Sequence, residues 1–342
     1  MRKTRRSAAA LMVAGVVLVA FAATLRLAIA PSMTKLRSDT DSTARLGGTA
    51  TLLNPQALQA GDMAHALLKD IPVTAARRVH VESATGDTAI VRDDVTMVGP
   101  DNLQVTDNHV YALDRRTLRE SPAPAAVQVE DHHGLTISMP LHPSADSSMQ
   151  YWDPGTRTST DLVYQGPATA YGRPVYNYTA RTDGPLVDPS TVRMLPQVLP
   201  RSVLEQLLPL IEAHTRDALR ATLSAAPDTI PIAYDTKDVT EVSADKSVGL
   251  PIAARQQQTV TASIVAEGGQ KITLMPVMAM DLSTTTASGN DTATTAAHVA
   301  TLVRLLELTV PLVLAVAGVL SILIGITRRS APLRRSTVES GA

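Results

Sequence analysis

Histidines and carboxylates are the residues of this sequence that could hold a metal ion or transfer a proton. Asp131, His132 and His133 are adjacent, and His142 follows in the same stretch. Such a set could bind zinc, but its spacing matches no recognised metal motif. Histidines in a loop beside Gly134 are more often solvated than ligating. We therefore predict no metal site.

Aspartates near turns are a second candidate set. Asp39 and Asp41 could bind a cation together with Asp114 or Asp153, because carboxylate oxygens suit hard ions. Solvated turn carboxylates are the simpler interpretation. For the turn at residues 114–117 we expect the Asp114 side chain to cap backbone N–H groups, which is a structural role.

Catalytic motifs are missing from the sequence. It has no Gly-x-Ser-x-Gly elbow, no glycine-rich phosphate loop and no His-Glu-x-x-His motif. It also has no cysteine, which excludes disulfides and thiol chemistry. We predict a protein that is not an enzyme, with no catalytic residue and no cofactor. The net charge of -1 gives no field that would attract nucleic acid.

Aromatic residues are few and clustered. The chain has one Trp, seven Tyr and one Phe, and most of them fall in one stretch: Tyr151, Trp152, Tyr164, Tyr171, Tyr176 and Tyr178. Rings on neighbouring strands often form a sheet core or a cross-strand ladder. The functional alternative is a cleft for a lipid or glycan, to which the rings would offer contact area and hydroxyl groups.

Two apolar segments near the chain ends are long enough to cross a membrane. Residues 8–30 are apolar apart from Thr24 and Arg26, and residues 308–327 carry no charge. Each could span a hydrocarbon core of about 30 Å as a helix. The first segment also resembles a signal peptide, but Pro31 directly after the apparent cleavage site and the length of the segment favour an uncleaved anchor.

Arginine placement predicts the orientation of the chain. Basic residues precede the first span within residues 1–7 and follow the second within residues 328–342. By the positive-inside rule both termini are cytoplasmic, and residues 31 to about 307 are extracytoplasmic. Small residues recur at helical spacing in both spans, which could therefore pair, or join copies of the chain: Ala10 and Ala14, then Ala317, Ser321 and Gly325.

The segment between the spans has the pattern of a mainly β domain. Short apolar alternations separated by turn signals fill residues 31–199 and resume in 225–282. Residues 200–224 have the period of a helix, which Pro209 should kink or divide. We predict an α+β fold, mainly β, with twisted antiparallel sheets in a sandwich or half-barrel and one internal helix. Residues 283–307 should form a stalk, flexible through Thr295, and then a membrane-proximal helix.

Several short motifs resemble one known family. They are Asp39-Thr40-Asp41-Ser42-Thr43, Gly48-Thr49-Ala50-Thr51-Leu52-Leu53-Asn54-Pro55, Ala112-Leu113-Asp114-Arg115-Arg116-Thr117, and Tyr151-Trp152-Asp153-Pro154 followed by Gly172-Arg173-Pro174-Val175-Tyr176. By these motifs the chain is similar to the actinobacterial PorA-type porins, a membrane-protein family also described as a domain of unknown function. It departs from the family at Leu118, where glycine is usual, and at Ser138-Met139, where an aromatic-rich strand is usual.

The resemblance implies channel activity in an outer lipid layer. Two helices do not enclose a pore, and a porin barrel needs strands of about ten alternating residues with aromatic girdles. A channel would therefore need several copies of this chain. We predict a two-pass cell-envelope protein with a non-catalytic binding or structural role toward envelope lipid, glycan or protein. The alternatives are an oligomeric channel and a lipid tunnel, as in class B scavenger receptors, which share the layout of two terminal helices.

The topology generates the first testable prediction. A cysteine placed at Gln150 would be the only thiol in the chain, and we expect a membrane-impermeant maleimide to label it in intact cells, because residue 150 lies in the segment predicted to be outside. A cysteine in the C-terminal tail, at Val338, is the control and should react only after lysis. Labelling of the Gln150→Cys variant only after lysis would refute the topology.

Overall fold

The computed structural model describes residues 2–30, 34–62, 65–211, 213–265 and 271–330. Two compact units are present: Leu36–Ala297, and a unit made of the two chain ends, up to Lys35 and from His298. Pro31 and residues 331–342 of the predicted tail lie outside the described residues.

Twelve β-strands and seven α-helices make up the regular structure of the described residues. The strands are β1 Asp41–Leu53, β2 Leu67–Thr85, β3 Thr88–Val98, β4 Gln104–Asp114, β5 Gln150–Asp153, β6 Thr158–Asp161, β7 Val163–Ala170, β8 Arg173–Pro185, β9 Val198–Pro200, β10 Thr229–Asp245, β11 Pro251–Val265 and β12 Lys271–Thr284. The helices are α1 Arg2–Thr24, α2 Pro55–Gln59, α3 Pro189–Met194, α4 Arg201–Leu207, α5 Ala213–Ala225, α6 Thr286–Arg304 and α7 Val310–Ser330.

Ten strands form one open antiparallel sheet, and the predicted fold class is confirmed. The order is β4-β3-β2-β1-β12-β11-β10-β8-β7, with β9 added beside β10, while β5 and β6 form a separate hairpin. The sheet does not close into a barrel, because β4 and β7 are its two ends. The two β-rich stretches predicted on either side of the helical segment therefore belong to a single sheet, which pairs β1 with β12 and β8 with β10.

Alternation of side chains explains how the sheet buries one face. Along β10, Ile230, Ile232, Tyr234, Thr236 and Asp238 are all buried, and they occupy every second position. Successive strand residues point to opposite faces, so this spacing directs all five toward the core. The largest apolar cluster joins this face to the helical segment through Leu204, Leu207, Leu219 and Leu223.

The helical segment confirms the prediction for residues 200–224. Helix α4 ends at Leu207, a 3-10 turn spans Leu208–Leu210, and α5 begins at Ala213. Pro209 lies within that turn, where its missing N–H and its ring end the α-helical hydrogen bonding. Two short helices were not predicted, and both have a side-chain N-cap: Asn54 accepts a hydrogen bond from the Ala57 N–H at 3.2 Å, and Asp188 accepts one from the Thr191 N–H at 2.7 Å.

The predicted flexible stalk is wrong, because α6 begins at Thr286, two residues after β12 ends. Small residues allow this helix to pack closely against its neighbours. Ala293 and Ala296 on the helix are buried. A Cβ added to Gly289 would lie 2.4 Å from the Tyr171 ring, so glycine is required at that contact. Composition suggested a linker, whereas tertiary packing selected a helix.

The chain ends form two helices that are apolar and long enough to cross a membrane, Ala9–Ile29 and Thr286–Arg329. Within this unit α1 contacts α7 at a pair of glycines, because a Cβ on Gly15 would lie 2.5 Å from the Gly318 carbonyl oxygen. This contact is made by Gly15, the residue after Ala14. Ala14, which the sequence suggested for pairing, is itself exposed. Glycine permits the closest approach of two helix backbones.

A second glycine, Gly48, lies at a close contact between two strands. A Cβ on Gly48 would lie 1.9 Å from the Asp281 carbonyl oxygen, where β1 pairs with β12. Gly48→Ala should therefore lower the free energy of unfolding by about 2 kcal/mol or more, since the strands must separate. Gly47→Ala is the matched control, because its added Cβ would have nothing closer than 3.7 Å. Equal denaturant midpoints for the two variants would contradict this account.

Candidate functional site

A cavity of about 380 Å³ lies against β1–β4, β11 and β12 of the Leu36–Ala297 unit. The β5–β6 turn and helix α3 complete its walls. Most of the lining is apolar and includes Leu52, Val95, Met97, Val105, Val277 and Met280. The volume falls within the range of about 300–1,000 Å³ that is common for ligand sites.

Charged side chains are grouped on part of the cavity wall: Arg77, Asp93, Asp107, His109, Asp153 and Asp188. Arg77 on β2 pairs with Asp93 on β3, with 2.8 Å between Nε and Oδ1, and its Nη2 donates to the Thr136 carbonyl at 2.8 Å. This pair is held between neighbouring strands, so the guanidinium stays fixed at the cavity wall. The cavity therefore has an apolar wall and a polar wall.

His109 is the centre of the polar wall. Its Nε2 lies 3.0 Å from Asp107, and its Nδ1 lies 3.0 Å from Glu130. Burial lowers the pKa of His109, but the hydrogen bonds to these two carboxylates outweigh burial and raise the pKa to about 10. The imidazole is therefore a charged donor at neutral pH, with both N–H groups in use.

The ligand atoms of Asp107, His109 and Asp188 lie within 4.8 Å of one another, a geometry that could hold a metal ion. A metal would need a neutral imidazole with a free lone pair, whereas both ring nitrogens of His109 hydrogen-bond to carboxylates. This geometry favours a hydrogen-bonding centre over a metal site. These residues were not predicted from the sequence, although Asp107 and His109 at alternate positions of a strand must share one face.

The histidines that the sequence analysis considered for zinc lie apart from this cluster of ligand atoms. His132 packs edge-on against Tyr111, with 4.9 Å between ring centroids, and burial lowers its pKa. His133 is largely exposed and lies 3.7 Å from Glu120. The absence of a metal site in this stretch stays a prediction.

A buried carboxylate pair lies behind the Gly155 turn at the cavity wall. Asp153 accepts hydrogen bonds from the Thr156 N–H at 2.9 Å and the Thr156 hydroxyl at 2.6 Å. Asp238 accepts one from Thr236 at 2.7 Å, while its second oxygen has no partner. Burial, and then the charge of Asp153, raises the pKa of Asp238 to about 7. Asp238 therefore holds a proton through much of the range below neutral pH.

The six clustered aromatics do not all line one cavity. Tyr151 and Trp152 line the cavity described above. Tyr164 contacts Tyr176 and Tyr178, with ring centroids 5.3 and 5.7 Å apart, in an apolar cluster on which Tyr151 also packs. Tyr171 is at the β7–β8 turn and packs on Gly289. Ligand binding stays a prediction for all six residues.

The motif residues hold turns and strand ends. Asp114 accepts hydrogen bonds from the backbone N–H groups of Arg116 and Thr117 at 3.0 and 2.7 Å, which confirms the predicted cap. Arg115 donates to the Leu36 carbonyl at 2.7 Å. Asp39 pairs with its neighbour Arg37, and Asp41 on β1 pairs with Arg78 on β2. Ser42 and Thr43 lie within the β1–β2 ladder. Several motif residues also line the cavity: Leu52, Leu53, Tyr151, Trp152, Asp153 and Pro154.

The open antiparallel domain and the two apolar helices fit a membrane protein. The chain belongs to the family described as porin PorA, whose model matches residues 7–327. The predicted family is therefore confirmed. None of the curated proteins matches the chain.

Three solved structures are distantly similar to this chain. They include a dehydratase of the borrelidin and fluvirucin polyketide synthases, with 11% identity, TM-score 0.12 and coverage of 69% of this chain and 72% of that one. A MaoC-domain dehydratase from Chloroflexus aurantiacus J-10-fl has 12% identity, TM-score 0.13 and coverage of 79% and 80%. Peroxisomal multifunctional enzyme type 2 from Drosophila melanogaster has 10% identity, TM-score 0.13 and coverage of 70% and 37%. Likenesses this weak support no inference about this chain.

The raised pKa of Asp238 generates a pH prediction. The folded state binds this proton up to about pH 7, and the unfolded chain releases it near pH 4. The contribution of Asp238 to the free energy of unfolding therefore decreases as pH rises through that window. The Asp238→Asn variant has no carboxyl that titrates at this position. Its free energy of unfolding relative to the parent should therefore increase from pH 4 to pH 7. Asp183→Asn, exposed and paired with Lys237, is the control.

Denaturant unfolding at a series of pH values measures this difference. A constant difference between Asp238→Asn and the parent across the window would show that the buried carboxyl does not titrate there.

Proposed function

We propose that the β domain binds an amphipathic lipid in the cavity and presents it at the outer side of a membrane, without chemical change. The observation that supports this proposal is the division of one cavity into an apolar wall and a polar wall. An acyl chain placed along Val95, Met97 and Val277 would leave water, and each buried CH₂ would contribute about 0.8 kcal/mol. The head group would then face the charged side chains.

The polar wall supports binding rather than catalysis. Arg77 is committed to Asp93, and His109 is committed to Asp107 and Glu130. A general base needs a lone pair that can accept a proton, whereas the raised pKa of His109 keeps its imidazole protonated at neutral pH and a guanidinium such as that of Arg77 stays protonated. Groups that already bond to one another instead form a rigid surface of donors and acceptors, which is suited to orienting a head group.

The two apolar helices support a location at a membrane, with both termini in the cytoplasm and the β domain outside. Attachment at both ends would keep the cavity close to a lipid surface, which supplies the ligand at high local concentration. The role proposed here is therefore that of a tethered lipid-binding domain.

The family description favours one other function, a channel made of several copies. A single open sheet with α-helical anchors does not enclose a pore. Voltage-clamp recording across planar bilayers separates the two functions. We expect no conductance from the purified protein, and stepwise currents that disappear when the spans are removed would support the channel.

Filling the cavity tests lipid binding. Ala75 lines the cavity, so Ala75→Phe should weaken binding of a fluorescent apolar probe about tenfold, because the larger ring occupies ligand space. Native mass spectrometry of the same sample should show less co-purified lipid. Ala76→Phe is the matched control, since neighbouring strand residues point to opposite faces.

Melting temperatures of both variants would separate lost binding from lost folding. Equal probe affinity and equal lipid content in the two folded variants would overturn the proposed lipid site.

A further inference from the structure

Helix α3 and Leu195 cover part of the cavity, and they are anchored at both sides. Before the helix, the N–H groups of Val187 and Asp188 donate to the Gly155 carbonyl at 2.9 and 3.1 Å. After it, the Tyr234 hydroxyl donates to the Pro196 carbonyl at 2.5 Å. The segment between these anchors, residues 189–195, is called the lid below.

Helix α3, the main part of the lid, is lightly held. It contains no buried residue, and Thr191 and Met194 line the cavity. Leu195 at the end of the lid also lines the cavity and is buried in the apolar core. Met194 is 40% exposed, so its side chain faces solvent as well as the cavity. Segments with few buried contacts open at low cost in free energy.

One side chain joins the lid to the sheet. The Ser190 hydroxyl donates to a carboxylate oxygen of Asp107 on β4, and among the described residues no other hydrogen bond links residues 189–195 to a strand. The same hydroxyl also lies 2.6 Å from the Asp188 carboxylate. A serine has one hydroxyl proton, so it can donate to only one of these two acceptors at a time.

This competition makes the contact two-state. When the hydroxyl donates to Asp107 the lid is attached to β4, and when it donates to Asp188 the hydrogen bond is local to the start of the helix. Asp107 remains bonded to His109 in either case, so release of the lid leaves no buried charge unpaired. The cost of breaking the contact is therefore small.

We propose that residues 189–195 are a lid that controls entry of ligand to the cavity, with Ser190 on Asp107 as its latch. The proposal rests on the lipid-binding function above. The closed state is the one described, and the open state keeps both anchors while the helix moves away from β4.

The absence of cysteine in the chain allows a clean test. In the full-length Asp107→Cys/Ser190→Cys variant, a short bis-methanethiosulfonate reagent bridges lid and strand, and dithiothreitol removes the bridge. Stopped-flow mixing with N-phenylnaphthylamine measures entry and release. We expect exchange to be nearly abolished while bridged, and to be faster than in the parent after reduction.

Two further variants complete the experiment. Ser190→Ala removes the latch without changing Asp107 and should accelerate probe release roughly three- to tenfold, the effect of one lost hydrogen bond between lid and strand. A bridged Thr88→Cys/Ser121→Cys pair is the matched control, because these side chains are also hydrogen-bonded, at 2.7 Å, and neither lines the cavity. Its exchange rate should not change.

The outcomes distinguish the two proposals. Equal exchange in the bridged and reduced forms, with normal equilibrium affinity, would overturn the lid and leave lipid binding intact. Failure of the parent protein to bind the probe at any concentration, together with no co-purified lipid, would overturn both.

Discussion

The pairing of β1 with β12 is the interaction on which the rest of the domain depends. It joins strands that are separated by most of the sequence, from Leu46 opposite Thr284 to Leu52 opposite Met278. Without it the strands before and after the helical segment would be linked only through the pairing of β10 with β8 and β9. The cavity draws residues from β1–β4 and from β11–β12, so it exists only when both stretches belong to one sheet. The close approach at Gly48 is the local condition for this pairing.

The polar wall shows how charges are accommodated beside an apolar space. An unpaired buried charge would cost several kcal/mol, so such groups are retained only with partners. Here Arg77 neutralises Asp93, His109 bridges Asp107 and Glu130, and Asp188 caps a helix. Asp238 lies behind this wall with one oxygen unpartnered, and its pKa is raised to about 7, so it is protonated at mildly acidic pH. The bonded ions make one wall of the cavity polar.

Local patterns in the sequence account for much of the fold. The period-two alternation predicted strands, and the 3.6-residue period with Pro209 predicted a divided helix, because each signal lies within a few residues. The Asp114 turn was predictable for the same reason. Composition failed at residues 286–295, where Thr, Ser and Gly suggested a linker and packing against Tyr171 produced a helix instead. The family resemblance was also visible in short motifs, since these encode turns and strand ends.

The candidate site could be predicted only in part. Trp152 and Tyr151 were identified because aromatics are rare in this chain, but Tyr164, Tyr176 and Tyr178 from the same stretch do not line the cavity. Strand pairing decides which rings meet, and pairing partners lie far apart in the sequence. The sequence by itself determined the apolar spans, the strand and helix periods and the capped turns, since these follow from the chemistry of nearby residues. Only the tertiary structure decided the sheet order, the cavity and the bonds of His109, because they depend on contacts between distant segments.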